Sequence, residues 1–225
     1  MIDPLQTLII EDQPIVLDGY IRVLETIASR YDALNFKIRI AESYDEAIMD
    51  IEHAIDYNII NLVLLDINLP PSKNGKLVSG DDLAIKLRFH FPGVKIIVLT
   101  QLNDNYRLVN ILKNVKPDGL LVKSELKPED FVEAVLDVLN DIPFYSDSVL
   151  KVIRRHLSND LNLDDIDRQM LYHLSLGAKT KDLTEIVNLS QAGIEKRKRK
   201  LIEVFNLDEK SDKLLLKLAK EKGFL

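Results

Sequence analysis

Short aliphatic runs alternate with helical patterns through the first 142 residues of the chain. Five runs have the length and composition of strands, and they span residues 7–11, 36–40, 61–65, 95–99 and 119–122. After each run, apolar residues recur at spacings of three and four, which predicts amphipathic helices. Five successive strand–helix units joined by right-handed crossovers predict an α/β fold, a doubly wound five-stranded parallel sheet with helices on both faces.

The pattern becomes wholly helical from Leu163 onward. It predicts four helices, at about residues 164–176, 179–187, 190–206 and 210–222. We expect Gly177 to end the first helix, and Thr180, Ser190 and Ser211 to cap the next three. The chain is therefore predicted to consist of an α/β domain over residues 1–142, a linker with a short helix over 143–160, and a small all-α domain over 161–225.

Composition excludes several classes of protein. The 225 residues include no cysteine, which rules out disulfides and thiolate metal sites. A hydrophobic fraction of 46% and a charged fraction of 29% are ordinary for a globular protein. The sequence shows neither a basic-then-apolar N-terminal segment nor an apolar run of about 18 residues. We therefore expect a cytoplasmic protein that has no membrane partner.

Charge is distributed unevenly along the chain. The net charge is -6 overall, with -9 in residues 1–142 and +2 in residues 161–225. The longest basic run is Lys196–Lys200, inside the third of the predicted C-terminal helices. Any contact with a nucleic acid is therefore expected near the C-terminus.

Residues suited to phosphoryl chemistry follow four of the five predicted strands. Glu11 and Asp12 follow the first strand, Asp66 the third, Thr100 the fourth and Lys123 the fifth. Ligands of an open parallel sheet bind at the carboxyl ends of its strands, so these side chains should converge. Converging carboxylates repel one another unless a hard cation such as Mg²⁺ lies between them. The pattern predicts a metal-assisted phosphorylation site with Asp66 as the nucleophile and with Thr100 and Lys123 binding phosphoryl oxygens.

Each of these residues also has an ordinary structural explanation. Acids at strand ends often cap a neighbouring helix, a lone threonine there is usually structural, and a lone lysine is usually solvated. The four signals at the first, third, fourth and fifth strands are improbable as a coincidence. Their combination favours the functional interpretation.

The same segments resemble the receiver domain of two-component response regulators. The matching segments are Leu8–Pro14, the run ending at Asp66, Leu99-Thr100 and Gly119–Lys123. The resemblance implies that Asp66 accepts a phosphoryl group from the phosphohistidine of a sensor histidine kinase. It also implies that Thr100 and Lys123 respond to the phosphorylated state. Such a protein is a phosphoacceptor with self-dephosphorylation at most, and not an enzyme in the usual sense.

The resemblance also implies a set of metal ligands. Asp12, Asp66 and the backbone carbonyl of Asn68 would bind Mg²⁺, and Glu11 would act mainly through water.

Three departures from the receiver pattern affect the surroundings of Asp66. Gly80, which matches a glycine of the family, lies 14 residues after Asp66, so the intervening loop over residues 70–79 is unusually long. Gln101 replaces a small residue, and Leu120 replaces the aromatic residue that the family places three positions before the lysine. These changes predict that Asp66 keeps its chemistry while the response to its phosphorylation is altered.

The C-terminal helices have the spacing of a helix-turn-helix, with residues 191–205 as the recognition helix. The segments 163–171, 177–186 and 189–190 resemble the NarL/LuxR-type DNA-binding domain. The two resemblances together imply a transcription regulator that binds DNA, as a homodimer when active. The predicted contact residues on the recognition helix are Glu195, Lys196, Arg197, Arg199 and Lys200.

Two other classes of function stay open at this point. A signalling adaptor that has lost DNA binding is suggested by Gly193 and Glu195 on the basic helix and by the acidic overall charge of the chain. A phosphohydrolase of the haloacid-dehalogenase type also uses an aspartate nucleophile. Those enzymes need a second aspartate two residues later, where this chain has Asn68.

Overall fold

The structure is a computed structural model, and it divides the chain into two compact units. It describes residues 3–55, 60–70, 72, 80–101, 104–157, 161, 163–207, 209 and 211–225. The first unit comprises Met1–Leu102 and Asn110–Val149, and the second comprises Asn103–Val109 and Leu150–Leu225. The predicted domain limits at residues 142 and 160 stay predictions. Within the described residues, no helix combines the length and apolar character needed to cross a bilayer.

Six strands and ten α-helices are described. The strands are β1 (Leu5–Ile10), β2 (Phe36–Ala41), β3 (Leu62–Asp66), β4 (Lys95–Thr100), β5 (Gly119–Val122) and β6 (Phe144–Tyr145). The helices are α1 (Pro14–Arg30), α2 (Tyr44–Ile55), α3 (Gly80–His90), α4 (Asn105–Asn114), α5 (Pro128–Leu139), α6 (Asp147–Leu157), α7 (Asp165–Ser175), α8 (Leu183–Ile186), α9 (Gln191–Val204) and α10 (Asp212–Glu221). A single 3₁₀ turn, Lys123–Glu125, connects β5 to the segment before α5.

All strand pairs in the sheet are parallel, in the order β2-β1-β3-β4-β5-β6. Every residue of β3 and of β5 is buried, as expected for central strands that are covered on both faces. The predicted doubly wound parallel fold is confirmed, but the sheet has six strands and not five. The additional strand β6 lies in the predicted linker, and its two residues are too few to produce a sequence pattern.

One face of the sheet is covered by α1 and α5. Their buried apolar side chains form a core with those of β1, β3, β4 and β5, and its members include Leu24, Ile27, Leu64, Ile97 and Phe131. Elsewhere in this unit, α2 and α3 are joined by an ion pair of 2.8 Å between Lys86 Nζ and Glu52 Oε1. Burial of the apolar strand residues in the core fixes the register of the strands. The register in turn determines which residues meet at the carboxyl edge of the sheet.

The second unit buries its own apolar core between α7, α8, α9 and α10. Ser190 and Ser211 cap α9 and α10, as predicted, by accepting hydrogen bonds from backbone N–H groups. Gly177 follows α7 with a φ of +90°, a conformation that favours glycine, and so ends that helix as predicted. The prediction for α8 was wrong at its start. Residues 179–182 form turns, and Asp182, not Thr180, precedes the short helix.

Candidate functional site

Three carboxylates meet at the carboxyl edge of the sheet. Glu11 directly follows β1 and is fully buried, and Asp66 ends β3 with 1% of its surface exposed. Asp12 is half-buried beside them. Carboxylate oxygens of the three residues all lie within 4.8 Å of one another. The structure thus brings together the acidic residues that the sequence predicted to converge.

Lys123 neutralises part of this negative charge. It follows β5, and its Nζ lies 2.6 Å from Glu11 Oε2 and 2.7 Å from Asp66 Oδ2. Its side chain is 10% exposed, so this bridge is largely shielded from solvent. Burial raises the pKa of the Glu11 carboxyl group, while the hydrogen bond from Lys123 acts in the opposite direction.

Thr100 and Asn68 are both close to the phosphoacceptor candidate, Thr100 through strand register and Asn68 through a hydrogen bond. Asp66 pairs with Leu99 across β3 and β4, which places the fully buried Thr100 one position beyond that pair. The backbone N–H of Asn68 donates a hydrogen bond of 2.8 Å to Asp66 Oδ1. This contact orients the Asp66 carboxylate. The expected role of the Asn68 carbonyl as a metal ligand stays a prediction.

The geometry of the acidic cluster suits a hard divalent cation. Asp12 Oδ1 is buried and has no hydrogen-bond partner among the described residues. An orphaned buried carboxylate oxygen is costly unless a cation or a donor reaches it. Mg²⁺ prefers oxygen ligands of this kind, so Glu11, Asp12 and Asp66 fit a magnesium site.

Gly80, the first residue of α3, lies directly against the backbone of Asp66 and Ile67. A Cβ atom added at Gly80 would lie 2.7 Å from Ile67 Cα and 2.9 Å from the carbonyl oxygen of Asp66. Both neighbours are backbone atoms, which cannot move aside cheaply. The start of α3 therefore packs against the chain immediately after the phosphoacceptor candidate only because residue 80 lacks a side chain.

Replacing Gly80 with alanine should destabilise the first unit by about 1–3 kcal/mol, the usual cost of overpacking. The matched control is Gly19→Ala in the exposed part of α1, where an added Cβ would meet nothing within 4 Å. That control should stabilise the protein by about 0.5–1 kcal/mol. Urea unfolding of both variants measures the difference, and equal effects at the two glycines would contradict the packing role of Gly80.

The departures from the receiver pattern fall partly within the described residues. Leu120 is fully buried in β5, in register with Tyr145 of β6, and Gln101 is exposed just after β4. Residues 71 and 73–79 of the long loop lie outside the described residues. Ser72 is described, and its hydroxyl donates to Asp45 Oδ1 at 2.6 Å.

The basic run on α9 divides into two groups. Lys196 and Arg199 are exposed and, among the described residues, neither forms an ion pair with a carboxylate. The cations of Arg197, Lys198 and Lys200 are each bound to an acid on another helix. All four basic residues predicted to contact DNA lie on one helix with the exposed Glu195, but only Lys196 and Arg199 are fully available.

Asp167 is the main partner of this basic helix. It is fully buried on α7, where it accepts from Arg197 Nη1 at 2.7 Å and from Lys200 Nζ at 3.0 Å. Asp164, the N-cap of α7, also accepts from Arg197 at 2.7 Å. Burial opposes ionisation of Asp164, but hydrogen bonds from Arg197 and from the backbone outweigh it and lower the pKa. These contacts attach the basic face of α9 to α7.

The sequence contained a signal for Asp167 that the prediction did not use. Asp167 has helical spacing with Met170, Leu171 and Leu174, all of which are buried. A carboxylate on the apolar stripe of a helix requires a buried partner, and the nearest cationic segment is α9.

Comparison with known proteins finds matches that extend over both units of the chain. No family model matches the chain. The oxygen regulatory protein NreC of Staphylococcus haemolyticus is 24% identical over 239 residues, which cover 98% of this chain and 99% of that protein. NreC of Staphylococcus epidermidis is 21% identical, with coverage of 96% and 98%. Both matches extend over nearly the full length of each protein.

Solved structures agree with this match. RcsB from Salmonella enterica serovar Typhimurium, bound to the promoter P1flhDC in the presence of the phosphomimetic BeF₃⁻, matches with a TM-score of 0.62 and 21% identity over 96% of this chain and 98% of that one. The isolated REC domain of RcsB matches with a TM-score of 0.53 and 25% identity, over 67% of this chain and 99% of that domain. In fold and domain order, this chain is similar to response regulators of the NarL/LuxR type. Its acidic cluster is consistent with the Mg²⁺ site of a receiver domain.

Proposed function

We propose that this response regulator accepts a phosphoryl group on Asp66 from a sensor histidine kinase and thereby controls transcription through its C-terminal DNA-binding unit. The observation that carries the proposal is the bridge from Lys123 to Asp66 and Glu11 at the carboxyl edge of the sheet. A buried aspartate beside a lysine and two further acids is suited to receive a phosphoryl group.

The transfer step exchanges one bond to phosphorus for another. An oxygen of the ionised Asp66 carboxylate attacks the phosphorus and forms an acyl phosphate, while the bond to the histidine nitrogen breaks. The imidazole leaves with the electron pair. Lys123 Nζ, already 2.7 Å from Asp66, is placed to pair with a phosphoryl oxygen, and the hydroxyl of Thr100 is a candidate donor to another.

Glu11, Asp12 and Asp66 would hold Mg²⁺, with the Asn68 carbonyl as a further candidate ligand. The cation would supply charge neutralisation where the transferred phosphoryl group carries negative charge. In its absence, Lys123 offsets the repulsion between Glu11 and Asp66. The same lysine therefore has two tasks, one before phosphorylation and one after it.

The C-terminal unit would bind DNA through α9, and the RcsB dimers bound to DNA make a homodimer the expected active form. Lys196 and Arg199 would contact phosphates, and Glu195 would either repel phosphate or accept from a cytosine amino group. Phosphorylation of Asp66 would favour the binding-competent population rather than create a new fold.

A signalling adaptor that does not bind DNA is the second candidate. The observation that favours it is the pairing of Arg197, Lys198 and Lys200 with acids, which reduces the positive charge that α9 can present. DNA binding and its salt dependence separate the two functions.

DNA fragments should be enriched from a random pool by the protein treated with an acyl-phosphate donor and Mg²⁺, and less so by untreated protein. On an enriched fragment, each phosphate contact contributes about -0.9 to the slope of log K against log salt concentration. Lys196→Ala should reduce that slope by about 1 for each α9 that is bound.

The matched control is Lys198→Met, two residues further along the same helix. Lys198 Nζ is held by Asp212 at 2.8 Å and its side chain is 13% exposed, so its removal should leave the slope unchanged. Absence of enrichment, or binding with a flat salt response, would favour the adaptor.

A further inference from the structure

Arg197 of α9 is bound by two acids of the second unit that differ in burial. Its Nη1 atom donates to Asp167 Oδ1 at 2.7 Å and to the two carboxylate oxygens of Asp164 at 2.9 and 2.7 Å. Asp167 is fully buried, whereas the side chain of Asp164 is 49% exposed. One acid therefore lies inside the contact between α7 and α9, and the other lies where solvent reaches it.

The buried acid is sufficient to hold α9 against α7. A carboxylate without exposed surface needs charged or hydrogen-bonding partners, and Asp167 has two, Arg197 at 2.7 Å and Lys200 at 3.0 Å. The contact between Arg197 and the half-exposed Asp164 adds little, because ion pairs that reach solvent contribute little to stability. The attachment of the two helices therefore does not explain why Asp164 binds Arg197.

The charges of this network offer another explanation. Asp164 and Asp167 carry two negative charges, and Arg197 and Lys200 carry two positive charges, so the four groups cancel. Without Asp164, the network would have a net charge of +1 on the helix that carries the longest basic run of the chain. Asp164 thus neutralises a cation that the buried Asp167 leaves uncompensated.

Asp164 also lies where an anion would reach α9. Asp164, Arg197, Lys196 and Arg199 line one cleft of about 760 Å³. Among the described residues, the hydrogen bonds of Arg197 all leave from Nη1, so its Nε and Nη2 atoms remain as donors. A phosphate that approached these atoms would meet the Asp164 carboxylate on the same guanidinium group, and two anions repel each other.

We propose that Asp164 is a positioning residue that acts through Arg197: by occupying the guanidinium group, its carboxylate withholds one phosphate contact from α9. The inference rests on the proposed binding of DNA by the second unit. Removal of the carboxylate leaves Arg197 anchored to Asp167, with two nitrogens directed to a phosphate oxygen. While the contact is withheld, a single copy binds DNA weakly, and firm binding depends on two copies that act together.

Asp164→Ser tests this role, because serine caps a helix as well as aspartate does but carries no charge. The full-length variant, treated with an acyl-phosphate donor and Mg²⁺, should bind the enriched DNA fragment about five- to tenfold more tightly than the wild type at about 0.1 M salt. Its slope of log K against log salt concentration should steepen by about 0.9 for each bound α9. Fluorescence anisotropy measures both quantities. A folding defect would weaken binding, so a gain in affinity cannot have that origin.

The gain should be the same on an unrelated fragment of equal length, since phosphate contacts carry no sequence information. A gain confined to the enriched fragment would mean that Asp164 acts on a base contact, and the proposal would be wrong.

Asp165→Ser is the matched control, since it removes the same charge one position further along and leaves Asp164 bound to Arg197. It should gain no more than about twofold in affinity and keep the wild-type slope, because salt screens the charge of an exposed residue. Asp164→Asn, which also preserves the cap, is a second variant in case serine is not tolerated, and its affinity should change in the same direction. If Asp164→Ser gains no more than Asp165→Ser, Asp164 does not withhold a phosphate contact.

Immobilised heparin, a sulfated polyanion without bases, separates this inference from the proposed function. Asp164→Ser should elute from it at a higher salt concentration than Asp165→Ser, although the two variants have the same net charge. A wild-type protein that binds no DNA fragment would exclude the proposed DNA binding, and the elution from heparin would still decide whether Asp164 blocks Arg197. Elution of both variants at the same salt concentration would overturn the role of Asp164, whatever the wild type does on DNA.

Discussion

Asp66→Asn is expected to take up no phosphoryl group from a small acyl-phosphate donor with Mg²⁺, under conditions that label the wild-type protein. The amide is a far weaker nucleophile than the carboxylate, and it offers the cation one oxygen in place of two. The substitution preserves the size of the side chain and leaves Lys123 paired with Glu11, so the first unit should remain folded. Intact-protein mass spectrometry, with far-ultraviolet circular dichroism as the folding check, measures both points.

The matched control for this experiment is Asp18→Asn, an exposed aspartate of α1 in the same unit. It should be labelled as fully as the wild type, and the label should be lost on treatment with hydroxylamine, which cleaves acyl phosphates. Label retained by Asp66→Asn would mean that another group accepts the phosphoryl group, and the central proposal would have to be abandoned.

Asp167→Ala should remove about 1–3 kcal/mol from the stability of the second unit, the usual cost of removing one partner from a buried hydrogen-bonded network. Asp167 is fully buried, and its loss leaves Lys200 without its carboxylate and Arg197 with Asp164 as its remaining partner. Since domains are stable by only about 5–15 kcal/mol, this loss should increase local opening of the helices that the network joins. Hydrogen exchange of α7 and α9 in the full-length protein reports this change where it occurs.

Asp165→Ala provides the comparison, because Asp165 is exposed and begins the same helix. A surface substitution of that kind should change stability by no more than about 0.5 kcal/mol. The double variant Asp167→Leu with Arg197→Met removes both buried charges and should recover most of the lost stability. If Asp167→Ala and Asp165→Ala had equal effects, the network would not be what holds α9 to α7.

The sequence predicted most of the first unit because its strands are continuous aliphatic runs that end in polar residues. A short, continuous aliphatic run such as Leu62–Leu65 is typical of a central strand, and parallel strands bring their carboxyl ends to one edge. The meeting of Glu11, Asp66 and Lys123 follows from that topology. The local sequence was enough to predict this meeting, because each of the three residues directly follows or ends its own strand.

The features that the sequence did not predict depend on contacts between residues that are distant along the chain. The pairing of Asp167 with Arg197 joins positions 30 residues apart, and no local pattern specifies it. The start of α8 was also missed, because Asp182 binds the backbone N–H of Lys179 and the chain turns before it becomes helical.

Strand β6 has a consequence for how the first unit can associate with a second copy. It occupies the edge of the sheet beside β5, and with only two residues it offers too few free backbone groups to recruit another strand. The opposite edge is β2, where the exposed side chains of Lys37 and Arg39 discourage edge-to-edge pairing in the same way. Continuation of the sheet from one copy into the next is thus disfavoured on both sides. Self-association of this unit is therefore expected to use the surfaces of its helices.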